Sequence, residues 1–377
     1  RCKVDEAYKK AAQTATLELQ SGRRGYRALW KHIVDVSVAD LKENYRKLDV
    51  DFDLWYGESN AQEDIAPMVQ EMRGKGYAYL SEGALVVDVQ EESDTREVPP
   101  CLILKSDGGA QYETTDLATI IQRKRDFDPD RMIYLADKRQ ELHYVRVFRC
   151  AYKTGLVDEH KCALEYVGFG TMNGQDGKPF KTREGGVLRL ETLIKNVEDA
   201  VYEKVMSNGS ISEEEGREVA HKVGIAAIKY GDLSNQPSKD YIFDLDKFAS
   251  FEGNTGPYIM YTMVRIKSIL TKYAAAYPDA KPGAIIAPVS KSETDLALTL
   301  CRFNEAVYET YEQKAPNRLC RYIYDLTAAL NQFYVEHNIM KEPDPDRQAG
   351  YIALIKLVLH VLETAIDLLG FSAPERM

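Results

Sequence analysis

Apolar and polar positions alternate with different periods along the chain. Residues 1–48 read helical. Tyr26, Leu29, Trp30, Ile33 and Val34 fall on one helix that Ser21 can cap, and Ser37 is placed to cap the next. Val50, Phe52 and Leu54 alternate with Asp51, Asp53 and Trp55, which predicts a strand half facing a core. A helix over 63–75 ends at Gly76. Strands over 77–80 and 84–89 turn through Ser81-Glu82-Gly83 as a hairpin. A polar loop, 90–100, ends in two prolines.

Strand, turn and helix then repeat. Residues 101–105 turn through 106–109 into 110–113, and Thr114-Thr115-Asp116 open a helix to about 125. A buried strand over 132–135 leads through 136–140 into a helix that stops at Gly155, and 163–167 is the next buried strand. Such alternation argues a parallel sheet with helices on its faces. The strands are too few for a complete doubly wound sheet, so half of one is expected to be missing.

From Leu190 the pattern is helical to the end. Leu190, Leu193, Ile194, Val197 and Val201 mark one helix, closed by Asn208-Gly209, and Ser212-x-x-Glu215 is a capping box for the next. Asn254-Thr255-Gly256-Pro257 breaks the chain before a helix over 258–273. A Pro/Gly linker, 277–288, precedes helices over 292–314, 317–337 and 346–369, and Gly370 ends the last. The longest apolar run, 351–369, carries Lys356, His360, Glu363 and Asp367 on one stripe. That pattern predicts an amphipathic packing helix and no membrane span.

A length of 377 residues suits two or three domains. The net charge of −10 argues against bulk attraction to nucleic acid or membrane and leaves room for a local basic groove. Tyrosine outnumbers phenylalanine 24 to 11, which fits a core with polar tips or a stacking surface for bases. The six cysteines form no C-x-x-C pair and no zinc spacing with histidine, as expected in a reducing cytosol. No signal peptide pattern is present, and the start at Arg1 inside a charged helical pattern reads as a cut.

Chemistry concentrates after the 163–167 strand. Gly168, Gly170, Gly174, Gly177, Gly185 and Gly186 surround Lys178, Lys181 and Arg183. A Gly/Lys/Thr loop at the carboxyl end of a strand suits a phosphate. A mobile surface loop with solvated charges fits the same composition. A P-loop does not, because Met172 stands where its first Gly belongs and Pro179 follows Lys178. Tyr112 and Asp116 flank one strand-to-helix turn and Gln140 lies at the next. An Asp in a first helical turn, with a phenol and a carboxamide near, suits a planar cation such as guanidinium. Thr115 and Asp116 as a plain helix cap, with Gln140 on the surface, is the commoner use of such residues.

Lys178-Pro179-Phe180-Lys181-Thr182-Arg183, with GFGTMNGQDG before it and EGGVLRLETLI after it, resembles the degenerate KMSKS loop of arginyl-tRNA synthetases. Tyr112-x-Thr114-Thr115-Asp116 resembles their arginine-pocket segment, and Asp137-x-Arg139-Gln140-x-x-His143 resembles the segment that holds the pocket Gln. Residues 224–261 and 322–340 and the ending Pro374-Glu375-Arg376-Met377 resemble the junction, helical bundle and terminus of that family. The resemblance runs from about residue 15 to 377.

It implies the second half of a Rossmann-type nucleotide fold with a parallel sheet, followed by an all-α anticodon-binding bundle. The implied division is 1–100 as a connective region, 101–186 as the catalytic half, 187–255 as a stem-contacting junction and 256–377 as the anticodon reader. By the same resemblance Tyr112, Asp116 and Gln140 contact arginine, with His143 open between a pocket and a structural role. Lys178, Lys181 and Thr182 have catalytic roles, with Thr182 near the second KMSKS lysine. Gly168, Gly170, Met172 and Arg183 belong to the ATP loop, and Tyr258, Tyr261, Arg265 and Met377 to tRNA binding. The implied partners are arginine, tRNA-Arg and ATP with Mg2+ as a substrate. No prosthetic group, resident metal or membrane is implied, and the parent enzyme is a cytoplasmic monomer that activates arginine only with tRNA bound.

None of the six histidines lies in the His-x-Gly-His signature of class I synthetases. The expectation is therefore a carboxyl-terminal fragment of an arginine–tRNA ligase, inactive alone. The alternative is a non-catalytic tRNA-binding or regulatory protein built on a synthetase shell.

Overall fold

The chain, seen in a computed structural model, is described over residues 2–179, 189–207, 211–280 and 283–377. It divides into two compact units, one holding residues up to Glu43 with Asp51–Phe169, the other holding Asn44–Val50 with Gly170–Met377.

The first unit opens on α1 (Glu6–Gln20) and α2 (Arg24–Lys47), separated by Gly22 at φ +94°. Ser37 does not cap a helix. It lies inside α2, where its hydroxyl donates to the Ile33 carbonyl at 2.8 Å, the local bond open to serine within a helix. Residues 50–55 do not form a strand either. They pair with no strand among the described residues, and Phe52 and Leu54 are exposed. Phe52 instead meets the Trp55 indole edge-on at 5.5 Å.

α3 (Gln62–Gly74) buries Ile65, Met68, Val69 and Met72, at helical spacing, and Gly76 at φ +76° turns the chain after it. β1 (Tyr79–Ser81) and β2 (Ala84–Val87) form the expected hairpin. β3 (Cys101–Leu104) joins β2 antiparallel. Its place next to a helix in sequence suggested a parallel strand, but it buries Cys101 and Ile103 in a sheet with the hairpin.

α4 (Tyr112–Phe127) leads to β4 (Arg131–Asp137), then α5 (Glu141–Lys153) leads to β5 (Ala163–Phe169). β4 and β5 are parallel, in register from Arg131↔Ala163 to Asp137↔Phe169. A parallel pair requires a crossover, and α5 supplies it. Met132, Tyr134 and Ala136 alternate inward from β4, and the first two join Leu117, Ile120, Val147 and Phe148 in one core, whereas Ile133 and Leu135 face outward.

The second unit is helical apart from a short parallel pair, β6 (Met172–Asn173) with β7 (Tyr241–Ile242). α6 (Leu190–Ser207) and α7 (Glu213–Leu233) pack side by side, and the Ser212 hydroxyl caps α7 by accepting the Glu215 N–H. The stop expected at Asn208-Gly209 lies outside the described residues. After the short α8 (Leu245–Phe248) comes α9 (Gly256–Ala276), started by the Thr255 cap and Pro257. A Cβ at Gly256 would sit 2.3 Å from the Ala226 carbonyl oxygen, so glycine lets α9 begin against the backbone of α7.

The helix expected over 292–314 is two. α10 (Lys291–Cys301) and α11 (Phe303–Gln313) meet at Arg302, whose backbone (φ −85°, ψ 1°) interrupts the ladder. α12 (Pro316–Glu336) and α13 (Pro345–Leu368) complete the bundle. α13 is long and apolar enough to cross a bilayer, yet Tyr351, Ile355, Val358, Leu362 and Ile366 lie in the bundle core. Lys356, His360, Glu363 and Asp367 form its exposed stripe, as the spacing predicts.

Candidate functional site

In the first unit, α4 and α5 begin beyond the carboxyl ends of β3 and β4. The start of α4 is fixed by Thr114, which is fully buried. Its hydroxyl donates to the Ile103 carbonyl of β3 at 2.6 Å and accepts the Gln111 N–H at 2.9 Å. The helix therefore starts at Tyr112, two residues ahead of the expected cap, and Asp116 lies past the free N–H groups of the first turn. A side chain partners it instead. His143 Nε2, from the first turn of α5, lies 2.6 Å from Asp116 Oδ2.

A second pair lies beside this one. Glu113, only 7% exposed, faces Arg146 with 2.7 Å between Oε1 and Nη2. His143 Nδ1 is 4.0 Å from the same Glu113 oxygen. Glu113 and Asp116 are three apart on α4, and His143 and Arg146 are three apart on α5, so each helix presents two groups from one face. Sequence reasoning missed Glu113 and Arg146. The matched spacing of two acids and two bases was the available signal.

Aromatic rings close the site. The Tyr144 ring meets the His143 ring edge-on at 5.1 Å and stacks on Tyr166 at 5.1 Å. Burial, reinforced by the Asp116 charge, pushes the Tyr144 phenol up to about 12. Tyr134 is also pushed up by burial, opposed by Arg123, whose guanidinium lies 5.1 Å from its ring centre. Asp116, Arg123, Tyr134 and Tyr144 line an open groove of ≈ 520 Å³. Tyr112 is 69% exposed at the first position of α4, and Gln140 is exposed immediately before α5. The structure thus brings Asp116 to the helix start that follows Gln140, and leaves the Tyr112 side chain open to solvent.

The glycine-rich stretch has more built structure than its composition suggests. Gly168 lies within β5, where a Cβ would meet the Tyr166 hydroxyl at 2.9 Å and the Lys138 Cα at 3.1 Å. In the second unit the Gly170 N–H donates to the Pro237 carbonyl at 2.8 Å, and a Cβ there would sit 2.3 Å from the Lys239 carbonyl oxygen. Close backbone approach is the role of both glycines. Met172 packs against the bundle core. Residues 174–178 make a tight turn in which the Gly174 N–H donates to the Lys178 carbonyl at 2.8 Å, and the Lys178 side chain is exposed. Lys181, Thr182 and Arg183 lie outside the described residues.

On the bundle, Tyr258, Tyr261 and Arg265 share one face of α9. The Tyr258 hydroxyl accepts from Asn331 Nδ2 at 2.7 Å, and its ring is 6.1 Å from Tyr324. The Arg265 guanidinium lies 3.8 Å from the centre of the Tyr334 ring. Tyr261, between them in sequence, is 50% exposed. Met377 lies elsewhere, at a groove of ≈ 670 Å³ with Lys222, Lys267, Lys272 and Arg376 among its lining.

Residues 1–245 match the family of class I tRNA synthetases (R), catalytic domain, and residues 259–377 match the DALR anticodon binding domain family. An arginine–tRNA ligase of Agathobacter rectalis is 54% identical over 385 residues, covering all of this chain and 64% of the relative. One of Alkaliphilus oremlandii is 54% identical over 375 residues with the same coverage. The chain therefore spans 64% of the length of these curated relatives. The arginyl-tRNA synthetase structure from Plasmodium falciparum superposes with a TM-score of 0.83 at 23% identity, over 99% of this chain and 62% of that one. That of Thermus thermophilus gives 0.79 at 21% identity, over 99% and 67%. These two show the fold, a class I catalytic domain followed by a helical anticodon-binding domain.

Proposed function

The chain belongs to the arginyl-tRNA synthetases of class I, and from that premise we propose that it supplies the arginine pocket, the lysine loop and the RNA-reading bundle of an arginine–tRNA ligase. In this reading an arginine carboxylate oxygen attacks the α-phosphorus of ATP, with Mg2+ accompanying the nucleotide, and pyrophosphate leaves. A ribose hydroxyl at the 3′ end of tRNA-Arg then attacks the carbonyl carbon, and AMP leaves. The protein contributes position and charge. Lys178 and Lys181 face the phosphates, with Thr182 and Arg183 on the same loop. Residues 101–186 handle amino acid and ATP, 187–255 contact the stem, and 256–377 read the anticodon with Tyr258, Tyr261, Arg265 and Met377. The enzyme works in the cytoplasm as a monomer.

The observation that carries the reading is the Asp116 carboxylate, set in an aromatic groove at the starts of two helices. Of its two oxygens, only Oδ2 has a side-chain partner among the described residues. Each carboxylate oxygen accepts two hydrogen bonds, so the fork of a guanidinium still finds acceptors there. In this reading Tyr112 and Gln140, exposed at the starts of α4 and α5, add contacts to the bound arginine. The test is arginine-dependent pyrophosphate exchange with the chain complemented by the rest of its relatives' length. Asp116→Asn is expected to raise the arginine KM by the equivalent of roughly 2–4 kcal/mol and the ATP KM far less. Equal rises would count against the pocket.

A further inference from the structure

Asp116, His143, Glu113 and Arg146 form a cluster larger than arginine recognition needs. Four ionisable groups meet at the start of two helices, and two of them, the 7%-exposed Glu113 and Arg146, face each other at 2.7 Å. A buried, unpaired carboxylate beside Asp116 would attract a second cation into the site. Arg146 answers that need from within the chain. It leaves Asp116 as the one acid of the four without a Lys or Arg partner among the described residues.

His143 stands between the two acids. Its Nε2 is 2.6 Å from Asp116 and its Nδ1 is 4.0 Å from Glu113. Its ring is held edge-on by Tyr144, which is stacked on Tyr166 and within 5.6 Å of Phe148, so the imidazole has little freedom to turn away. We infer that His143 is a positioning residue: it fixes the Asp116 carboxylate by an Nε2–H donor while Arg146 neutralises Glu113, so that the groove offers one oriented negative charge to a monocationic side chain. This rests on the arginine-pocket reading and assigns His143 no contact with the substrate. The groups facing His143 are Glu113 and Asp116 from α4, with Tyr144 and Arg146 beside it on α5. A freely turning Asp116 would accept water or a lysine ammonium as readily as a guanidinium. A fixed one has its remaining lone pairs in a set plane, which a planar fork matches and a tetrahedral ammonium does not.

The experiment uses the whole 377-residue chain, with arginine and its neutral isostere citrulline as calorimetric probes. His143→Ala should reduce the preference for arginine over citrulline by about tenfold, the usual scale for losing an outer partner of a ligating group. His143→Gln, which places an N–H donor near the same point, should keep most of that preference. In wild type the imidazole nitrogen shifts should report a proton on Nε2, and Asp116→Asn should move them. Loss of affinity for both ligands alike in His143→Ala, a Gln variant as poor as the Ala variant, or an imidazole indifferent to Asp116→Asn would overturn the proposal. A wild-type chain that fails to prefer arginine over citrulline refutes the arginine pocket instead, and the imidazole readout then still decides whether His143 fixes Asp116.

Discussion

Gly170 shows how much one missing side chain can hold together. Its N–H reaches Pro237, and a Cβ would fall 2.3 Å from the Lys239 carbonyl oxygen, a backbone atom that cannot step aside. Gly170→Ala should therefore push the β6–β7 pairing apart and lower the stability of the second unit by about 1–3 kcal/mol in a urea melt. An unchanged midpoint would mean that the 237–240 segment yields freely. The two tyrosines of α9 separate in the same way. Tyr258 is engaged by Asn331 and Tyr324, whereas Tyr261 is half exposed. Tyr261→Ala should weaken tRNA-Arg binding by roughly 1–3 kcal/mol with the melting temperature unchanged. Tyr258→Ala should lower the melting temperature as well. A Tyr261 variant that melts early and binds normally would return that residue to packing.

Elements whose pattern is local were legible in the sequence. The α13 stripe of Lys356, His360, Glu363 and Asp367 is exposed as its spacing required, and β4 and β5 are parallel as the intervening helix required. What failed depended on partners distant in sequence. Val50 to Trp55 has the period of a strand but pairs with none among the described residues, and β3 found its neighbour in the hairpin. The α4 start moved because Thr114 bonds Ile103, eleven residues away. At the site, the choice of Asp116 and Gln140 as neighbours came from their shared edge. The Glu113–Arg146 pair went unread because its members lie far apart in sequence, and the matched spacing on the two helices was its one local trace. The loop after β2 is a further element held from afar. Arg149 grips Asp94 through two bonds of 2.7 and 2.8 Å, and Asp94 in turn accepts the Glu91 N–H at 2.9 Å. The Arg149 bond, with the Glu91 N–H, holds the Asp94 carboxyl below its usual range. A depressed folded value means that the contribution is whole above the unfolded value of about 3.9 and is lost as pH falls through the folded one. Amide exchange at Glu91, corrected for its intrinsic rate, should stay protected from neutral pH to about 4 and open below it. Arg149→Ala should open it at neutral pH. Protection that persists in that variant would remove Arg149 from the account.

For the whole molecule the expectation is dependence. The chain spans 64% of its curated relatives and has no His-x-Gly-His among its six histidines. It should give no arginine-dependent pyrophosphate exchange alone, even with tRNA-Arg, and should gain exchange when mixed with a polypeptide supplying the rest of the relatives' length. Exchange by the chain alone would mean that it closes an ATP site by other residues. The division between its units has a practical meaning for anyone recombining such enzymes. It falls between Phe169 and Gly170, and residues 44–50 travel with the later unit, where the Lys47 ammonium bonds Glu191 at 2.8 Å and the Asp49 carbonyl accepts from Lys229 at 3.1 Å. A transplant that moved only the helices after residue 189 would strand β7 without β6 and the bundle without its borrowed heptapeptide. A chimera that respects the molecule needs three joints, before 44, after 50 and before 170, and the glycine at that last joint must come with the recipient's new half.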